Sequence, residues 1–120
     1  MHQTYIPILR ELDNSFVEID ASVLLSTDGL VMATTLPLAI DADHIGAVCA
    51  GMFRLGHRTA EKCASGLLNQ VWIQSEEKYV VMLGVGAEII LVVIISKPYT
   101  DLEGLFSNLG RFIEKIAALV

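Results

Sequence analysis

The chain has 120 residues, which fits one domain spanning 1–120, and 53% of them are hydrophobic against 18% charged. This composition excludes disorder over most of the length and suggests that a second subunit covers part of the surface. The formal net charge is −6 with no block of lysine and arginine, so we expect neither a nucleic-acid partner nor an anionic membrane. The opening MHQTYIPILRELDNSF lacks the basic start and apolar run of a secretory signal, which favours a cytoplasmic location.

The first third of the chain predicts a helix followed by a hairpin. Residues 4–16 carry apolar side chains at helical spacing, which indicates an amphipathic helix. Residues 20–26 and 30–35 alternate as strands do, and Thr27-Asp28-Gly29 between them is a strong short hairpin signal. Ser26 and Asp28 could be read as catalytic, but a serine nucleophile needs a base, and no histidine is near in sequence. The stretch is therefore interpreted as a corner in the chain.

A long middle helix is predicted from Ala42 to Ala64, with Asp41 as its N-cap. At 100° per residue one apolar stripe forms, and we expect it to lie on the sheet: Ile45, Val48, Cys49, Met52, Leu55, Thr59 and Cys63. The opposite side carries Ala47, Ala50, Arg54, His57, Arg58 and Glu61, with Gly51 and Phe53 on the flanks. Three glycines inside a helix are each unfavourable by up to about 1 kcal/mol. Gly46, Gly51 and Gly56 therefore indicate either close approach of another backbone or accommodation of the chain's own sheet.

The second half predicts a three-stranded meander and a last helix. Strands are expected at 69–75, 79–83 and 88–96, with a turn at Gly84-Val85-Gly86. The apolar length of 79–96 approaches a membrane helix, but its internal glycines, Glu88 and β-branched residues favour strands. Thr100-Asp101-Leu102-Glu103 matches a capping box that starts the last helix.

The element order is therefore α-β-β-α-β-β-β-α, in the α/β (α+β) class. Short turns between strands predict a five-stranded, mainly antiparallel sheet. We expect the long helix on one face and the two terminal helices on the other.

No chemical motif points to an enzyme, a cofactor or a metal. Gly84-Val85-Gly86 resembles the start of a dinucleotide loop, but Ile89 replaces the third glycine and a strand follows. His2, His44 and His57 are too far apart to bind one metal, and His44 and His57 lie about 20 Å apart along one helix. Cys49 and Cys63 lie about 21 Å apart on the same helix, so they cannot form a bridge and are expected to be reduced thiols.

Two stretches, VLLSTDGLVMATTLP and DADHIGAVCAGMFRLGHRTAEKC, resemble the roadblock family, the dynein light chain 7-type domain. The likeness continues through NQVWIQSEEKYVVMLGVGAEIILVVII and the closing helix. It implies a profilin-like sandwich that forms homodimers or heterodimers, with the middle helices paired and the third strands joining two sheets. It also implies a non-enzymatic adaptor or regulator of an NTPase, most of all a small Ras-like GTPase.

The resemblance assigns roles to residues of the middle helix and the third strand. It implies a dimer contact formed by Gly46, Ala47, Ala50, Gly51, Phe53, His57, Val71, Trp72 and Ile73. A partner surface is expected at Arg54, Arg58 and Glu61, although these charges could equally be solvated. The resemblance does not include the C-terminal extension of bacterial polarity-type regulators, so we do not expect a full GTPase-activating role. Two other functions stay open: a profilin-like small-molecule sensor and a dynein-associated light-chain-type scaffold subunit.

Overall fold

A computed structural model of the protein describes residues 4–64, 66–96 and 102–119. The elements follow the predicted order: α1 (Ile6–Ser15), β1 (Ile19–Ser26), β2 (Val31–Thr34), α2 (Ala42–Cys63), β3 (Gln70–Gln74), β4 (Lys78–Val85), β5 (Ile89–Ser96) and α3 (Leu102–Ala117). Thr100 and Asp101 of the predicted capping box, and also His2, lie outside the described residues. Within the described ranges, no helix combines the length and the apolar character that a membrane crossing requires.

The five strands form one sheet in the order β2-β1-β5-β4-β3, and all four pairings are antiparallel. Strand β5 is central, and its apolar run is almost entirely buried, because a central strand is covered on both faces. Helices α1 and α3 pack on one face, and α2 packs on the other. The predicted α+β sandwich is confirmed.

A buried polar contact ties α1 to the sheet. Ser22 of β1 is fully buried, and its hydroxyl donates to Asp13 Oδ1 at 2.8 Å. The Ser22 N–H donates to the hydroxyl of Thr35 at 2.9 Å, so its polar groups are paired. Burial raises the pKa of the Asp13 carboxyl, and hydrogen bonds from Thr35 and Ser22 oppose this rise.

A second polar contact joins three strands two residues earlier along β1. Asp20 of β1 accepts hydrogen bonds from the ammonium of Lys78 on β4 and from the hydroxyl of Ser96 on β5. The Lys78 contact is the main cause that lowers the pKa of Asp20. Because the ion pair between Lys78 and Asp20 is partly exposed, it adds little to the free energy of unfolding. Its main effect is to hold the three strands in their positions.

The turn after β4 lies later than predicted. Strand β4 continues through Gly84 to Val85, and residues 86–88 form the turn, with Gly86 at φ +63°. Gly84 is a strand residue paired with Ile90. A Cβ at Gly84 would lie 3.4 Å from Cζ of Phe53, so this glycine leaves room for the Phe53 ring of α2.

Candidate interaction surface

Helix α2 begins as the sequence predicts. The Asp41 side chain accepts a hydrogen bond from the His44 N–H at 3.1 Å, and Asp43 lies in the first turn. Both carboxylates lie at the positive end of the helix dipole, where a negative charge is favourable. The start of the helix is thereby fixed against the preceding loop.

The β1–β2 turn packs directly against α2. Gly29 has φ +94°, a conformation that side chains resist, and its Cβ would lie 3.3 Å from Cα of Ala47. A Cβ on Gly46 would lie 3.0 Å from the Gly29 carbonyl oxygen and 3.0 Å from Leu25 Cδ2. The two backbones touch because both positions are glycine. Gly46 is therefore explained by the chain's own hairpin.

The hydrogen bonds of Ser26 are those of a turn residue. Its hydroxyl accepts from the Leu30 N–H at 3.2 Å, while its N–H donates to the Leu30 carbonyl at 2.9 Å. Arg54 of α2 reaches the same turn, and its Nη1 donates to the Thr27 carbonyl at 2.8 Å. Asp28 is exposed beside them. These contacts agree with the interpretation of this stretch as a corner.

The sheet-facing side of α2 differs from the predicted one. Gly46, Cys49 and Ala50 are the buried residues of the helix, with Phe53 partly buried beside them. The predicted stripe is wrong for three large side chains that remain exposed in the single chain: Val48 (57%), Met52 (40%) and Leu55 (56%). The hairpin lies so close to the helix backbone at Gly46 and Ala50 that only small residues fit there, and the larger Phe53 is accommodated further along, next to Gly84.

Three exposed apolar residues and one threonine form a narrow line along α2. Val48, Met52, Leu55 and Thr59 follow one another at spacings of four, three and four residues, which is the spacing of a helix-pairing seam. We call these four residues the α2 seam. Gly51 lies beside it, and a Cβ there would have only the Arg54 guanidinium within reach, at 3.9 Å. A second helix could therefore approach closely at this point.

The predicted interface residues of α2 divide into two groups. Gly46 and Ala50 are buried within the single chain, which does not expose them to a second copy. Phe53 packs within the chain, against the core on the α2 side of the sheet, with its ring next to Gly84. Ala47 is exposed, and Gly51 and His57 are half-exposed, so a contact through these three residues stays a prediction.

Strand β3 is an edge of the sheet, as predicted, and its three predicted interface residues are half-buried. Val71 and Ile73 pack on the α2 side. Trp72 points to the other side, where the centroid of its ring lies 6.0 Å from the ring centroid of Tyr79 and 5.2 Å from that of Phe106 of α3. Among the described strands, none lies beyond β3.

The predicted partner-binding charges are distributed unevenly over α2. Arg54 is hydrogen-bonded to the β1–β2 turn. The Glu61 Oε1 atom lies 3.3 Å from Nε2 of His57, one helical turn earlier. Arg58 is exposed and makes no ion pair within the described ranges. Of the three, Arg58 is therefore the group most available to a partner.

Within residues 4–64, 66–96 and 102–119, no three His, Cys, Asp or Glu side chains converge as metal ligands would. Burial raises the pKa of the Cys49 thiol, which keeps it protonated and unreactive, while Cys63 is exposed near the end of α2. Among the described residues, this surface combines an apolar line, an uncovered strand edge and the available cation Arg58. Such a surface is suited to binding another protein.

An antiparallel sheet covered by one helix on one face and by two on the other defines the profilin-like α+β sandwiches. Within that class, the chain belongs to the Roadblock/LC7 domain family, whose model matches residues 9–95.

The relatives agree with this assignment. The uncharacterized protein MJ1340 of Methanocaldococcus jannaschii is 33% identical over 112 residues, covering 93% of this chain and 96% of the relative. The Roadblock/LC7 domain from Streptomyces avermitilis superposes with a TM-score of 0.85 at 21% identity, covering 93% of both chains. MglB of Myxococcus xanthus gives 0.88 at 13% identity, covering 98% of this chain and 88% of MglB. Acanthamoeba castellanii profilin IB gives 0.65 at 15% identity, covering 99% and 98%. These three structures share the fold.

Proposed function

We propose that the protein is a cytoplasmic, non-enzymatic homodimer that serves as an adaptor or regulator of an NTPase, in particular a small Ras-like GTPase. The observation that carries this proposal is the α2 seam, exposed beside the open edge of β3. The proposal takes residues 1–120 as one Roadblock/LC7 unit.

The α2 seam supports self-association through paired helices. Its four residues fall within a sector of about 60° when placed at 100° per residue. An apolar line this narrow and this exposed is unfavourable in water and is typical of a surface that another helix covers. Gly51 beside it allows the second backbone to come near, which increases the contact area of the flanking side chains.

The two edges of the sheet also differ in a way that supports a dimer. Strand β2 has four residues, and its pairing with β1 is interrupted by a register shift between Leu24 and Leu25. Short length and bulges protect an edge from pairing with other chains. Strand β3 has five residues in regular register, without charge or proline. The unprotected edge is therefore β3, and the resemblance places the second copy at this same edge.

The partner assignment rests on the family resemblance together with the charges of α2. Roadblock-type domains are adaptors and regulators of NTPases, as the resemblance implies. Arg58 is exposed outside the seam, so it would remain available once the seam is covered. A cation there can attract an acidic region of the partner and increase the rate of association.

Size-exclusion chromatography with light scattering tests the dimer. We expect about twice the chain mass of 13.1 kDa at micromolar concentration. A particle of single-chain mass under these conditions would overturn the proposed assembly.

Capture of GTPases loaded with GTP or GDP tests the partner. We expect capture that depends on the nucleotide and that weakens in Arg58→Glu. The matched control is Arg111→Glu, a charge reversal on α3 at the opposite face of the sheet. Capture that is independent of nucleotide, or equal weakening by both variants, would contradict the GTPase assignment.

A specific cleft supports the sensor function as a second candidate. A space of about 590 Å³ lies between α2 and the end of β4, within the size range of small-molecule sites. Its lining is Phe53, His57, Leu67, Leu68, Gly84, Gly86 and Ala87. Thermal shift against apolar metabolites tests it, and a large stabilisation of a chain that captures no GTPase would favour the sensor.

A further inference from the structure

The β1–β2 turn lies beside the β4–β5 turn, and a cleft opens next to both. The Thr27 N–H donates to the Glu88 carbonyl oxygen at 3.0 Å, which holds the two turns together. The cleft has a volume of about 720 Å³, within the size range of small-molecule sites. Its wall is built from the residue before α1, the two turns, strands β2 and β5, and the chain just after α3.

Tyr5 is the residue of this wall whose chemistry points to a ligand. It lines the cleft, yet only 3% of it is exposed, because its side chain belongs to the core beneath α1 and α3. Within residues 4–64, 66–96 and 102–119, the Tyr5 hydroxyl makes no hydrogen bond. A buried phenol hydroxyl normally has a partner, and leaving it without one is unfavourable. A molecule bound in the cleft can supply that partner.

The charges of the cleft wall are all negative. Asp28 and Glu88, one from each turn, line the cleft with their carboxylates. Among the described residues, no lysine, arginine or histidine lines it. Arg54 reaches the Thr27 carbonyl from the α2 side and is not part of the wall. Charges of one sign along a cleft attract a ligand of the opposite sign.

The rest of the wall includes apolar surface. Ile89 is buried in the same core as Tyr5, and Met32 packs against that core. Leu119, just after α3, is 44% exposed. A small inorganic cation would leave this surface in water, whereas a cation with an apolar body would cover it. The wall is therefore suited to an organic cation.

We propose that the cleft binds a small organic cation, an ammonium group attached to an apolar body. The ammonium lies between the carboxylates of Asp28 and Glu88. The Tyr5 hydroxyl oxygen accepts a hydrogen bond from the ammonium, so the unpaired group gains its partner. The apolar body lies on Met32 and Leu119.

This site is separate from the surface assigned to the second copy. Tyr5, Met32 and Ile89 belong to the face of the sheet that α1 and α3 cover, whereas the α2 seam lies on the other face. The cleft lies at β2, β1 and β5, and β3 is the opposite edge of the sheet. Ligand binding here is therefore independent of the proposed homodimer and gives the corner at Ser26–Asp28 a binding role instead of a catalytic one.

NMR titration of the full chain with three probes tests the site. Phenethylammonium carries both features, phenethyl alcohol has the same body without the charge, and methylammonium has the charge without the body. We expect phenethylammonium to shift the amide signals of residues 26–28, 88, 89 and 119, and to bind about tenfold more tightly than either other probe. Equal binding of one of the other probes, or the absence of shifts at these residues, would overturn the proposal.

A pair of charge variants tests the carboxylates. Glu88→Gln should weaken the binding of phenethylammonium about fivefold, as expected for an exposed ion pair. The matched control is Glu76→Gln, the same change at an exposed residue in the β3–β4 turn, beyond the other end of β4. The control should bind like the parent. Equal weakening by the two variants would reduce the effect to the overall charge of the chain and would overturn the site.

The variant Tyr5→Phe tests the unpaired hydroxyl in two measurements. Because this hydroxyl has no partner in the chain, the melting temperature of the free protein should stay the same or rise. Binding of phenethylammonium should weaken about fivefold. A clear fall in the melting temperature of the free protein, or an unchanged probe affinity in the folded variant, would overturn the role assigned to Tyr5.

Discussion

Replacing Leu55 by alanine should weaken the dimer about 30-fold while leaving the fold intact. Full burial of a leucine side chain is favourable by about 2 kcal/mol. Leu55 is 56% exposed in the single chain, so its contact in the dimer is worth about 1 kcal/mol. Both copies carry the substitution, which makes the loss about 2 kcal/mol, and each 1.4 kcal/mol corresponds to about tenfold in Kd. Because Leu55 is not part of the buried core, the free energy of unfolding of the monomer should change little.

The dimer dissociation constant can be followed by light scattering or by analytical ultracentrifugation over a dilution series. The matched control is Leu38→Ala, since Leu38 is fully exposed, at 105%, but lies in the loop between β2 and α2. We expect the control to dimerise like the parent. The reasoning would be refuted if Leu55→Ala dimerised as tightly as the parent, or if Leu38→Ala were equally weak.

Three further predictions follow from named contacts. Gly46→Ala should destabilise the monomer by about 1–3 kcal/mol in denaturant unfolding, because its Cβ would lie 3.0 Å from atoms of Gly29 and Leu25. Gly51→Ala should instead stabilise the monomer by about 1 kcal/mol and weaken the dimer. Arg58→Glu should lower GTPase capture about tenfold at low salt, with less effect at high salt, and a salt-independent loss would contradict an electrostatic role. Asp20→Asn should cost under about 1 kcal/mol at neutral pH, and this cost should vanish as pH falls through the lowered pKa of Asp20. The raised pKa of Asp13 works in the opposite sense. The stabilisation by Asp13→Asn should therefore appear as pH rises past the pKa of the unfolded-state carboxyl and reach its full size above the raised pKa of the folded state.

The order and type of the elements could be predicted because they depend on local patterns. Asp41 precedes the long helix and caps it, Gly29 forms the hairpin turn, and the apolar run of residues 89–95 occupies the centre of the sheet. Each of these signals involves neighbouring residues and a well-known backbone requirement. They determine which elements form and which strand is covered on both faces.

The orientation of α2 could not be predicted from periodicity because periodicity weighs hydrophobicity and ignores size. A pattern of large apolar residues predicts the buried face only where the space beneath the helix is wide enough for them. Here Gly29 and Gly46 bring the hairpin against the helix, so Val48 and Leu55 are displaced to the outside. Two of the three helix glycines are a usable signal, since Gly46 and Gly56 mark the side that faces the sheet, whereas Gly51 lies on the outer side. The contact of Asp13 with Ser22 joins separate elements, and no local pattern indicates it.

The α2 seam and the β3 edge act as one surface because Gly56 fixes the distance between them. A Cβ at Gly56 would lie 2.9 Å from Cγ2 of Val71, so the helix rests directly on the strand. Close packing leaves little freedom for one element to move without the other. In the proposed homodimer, the α2 seam and the β3 edge therefore meet the second copy as one rigid surface. Because β3 is unbulged and α2 is continuous through this region, the chain moves as one body here, and the two-fold axis of the proposed homodimer relates the two seams and the two β3 edges together.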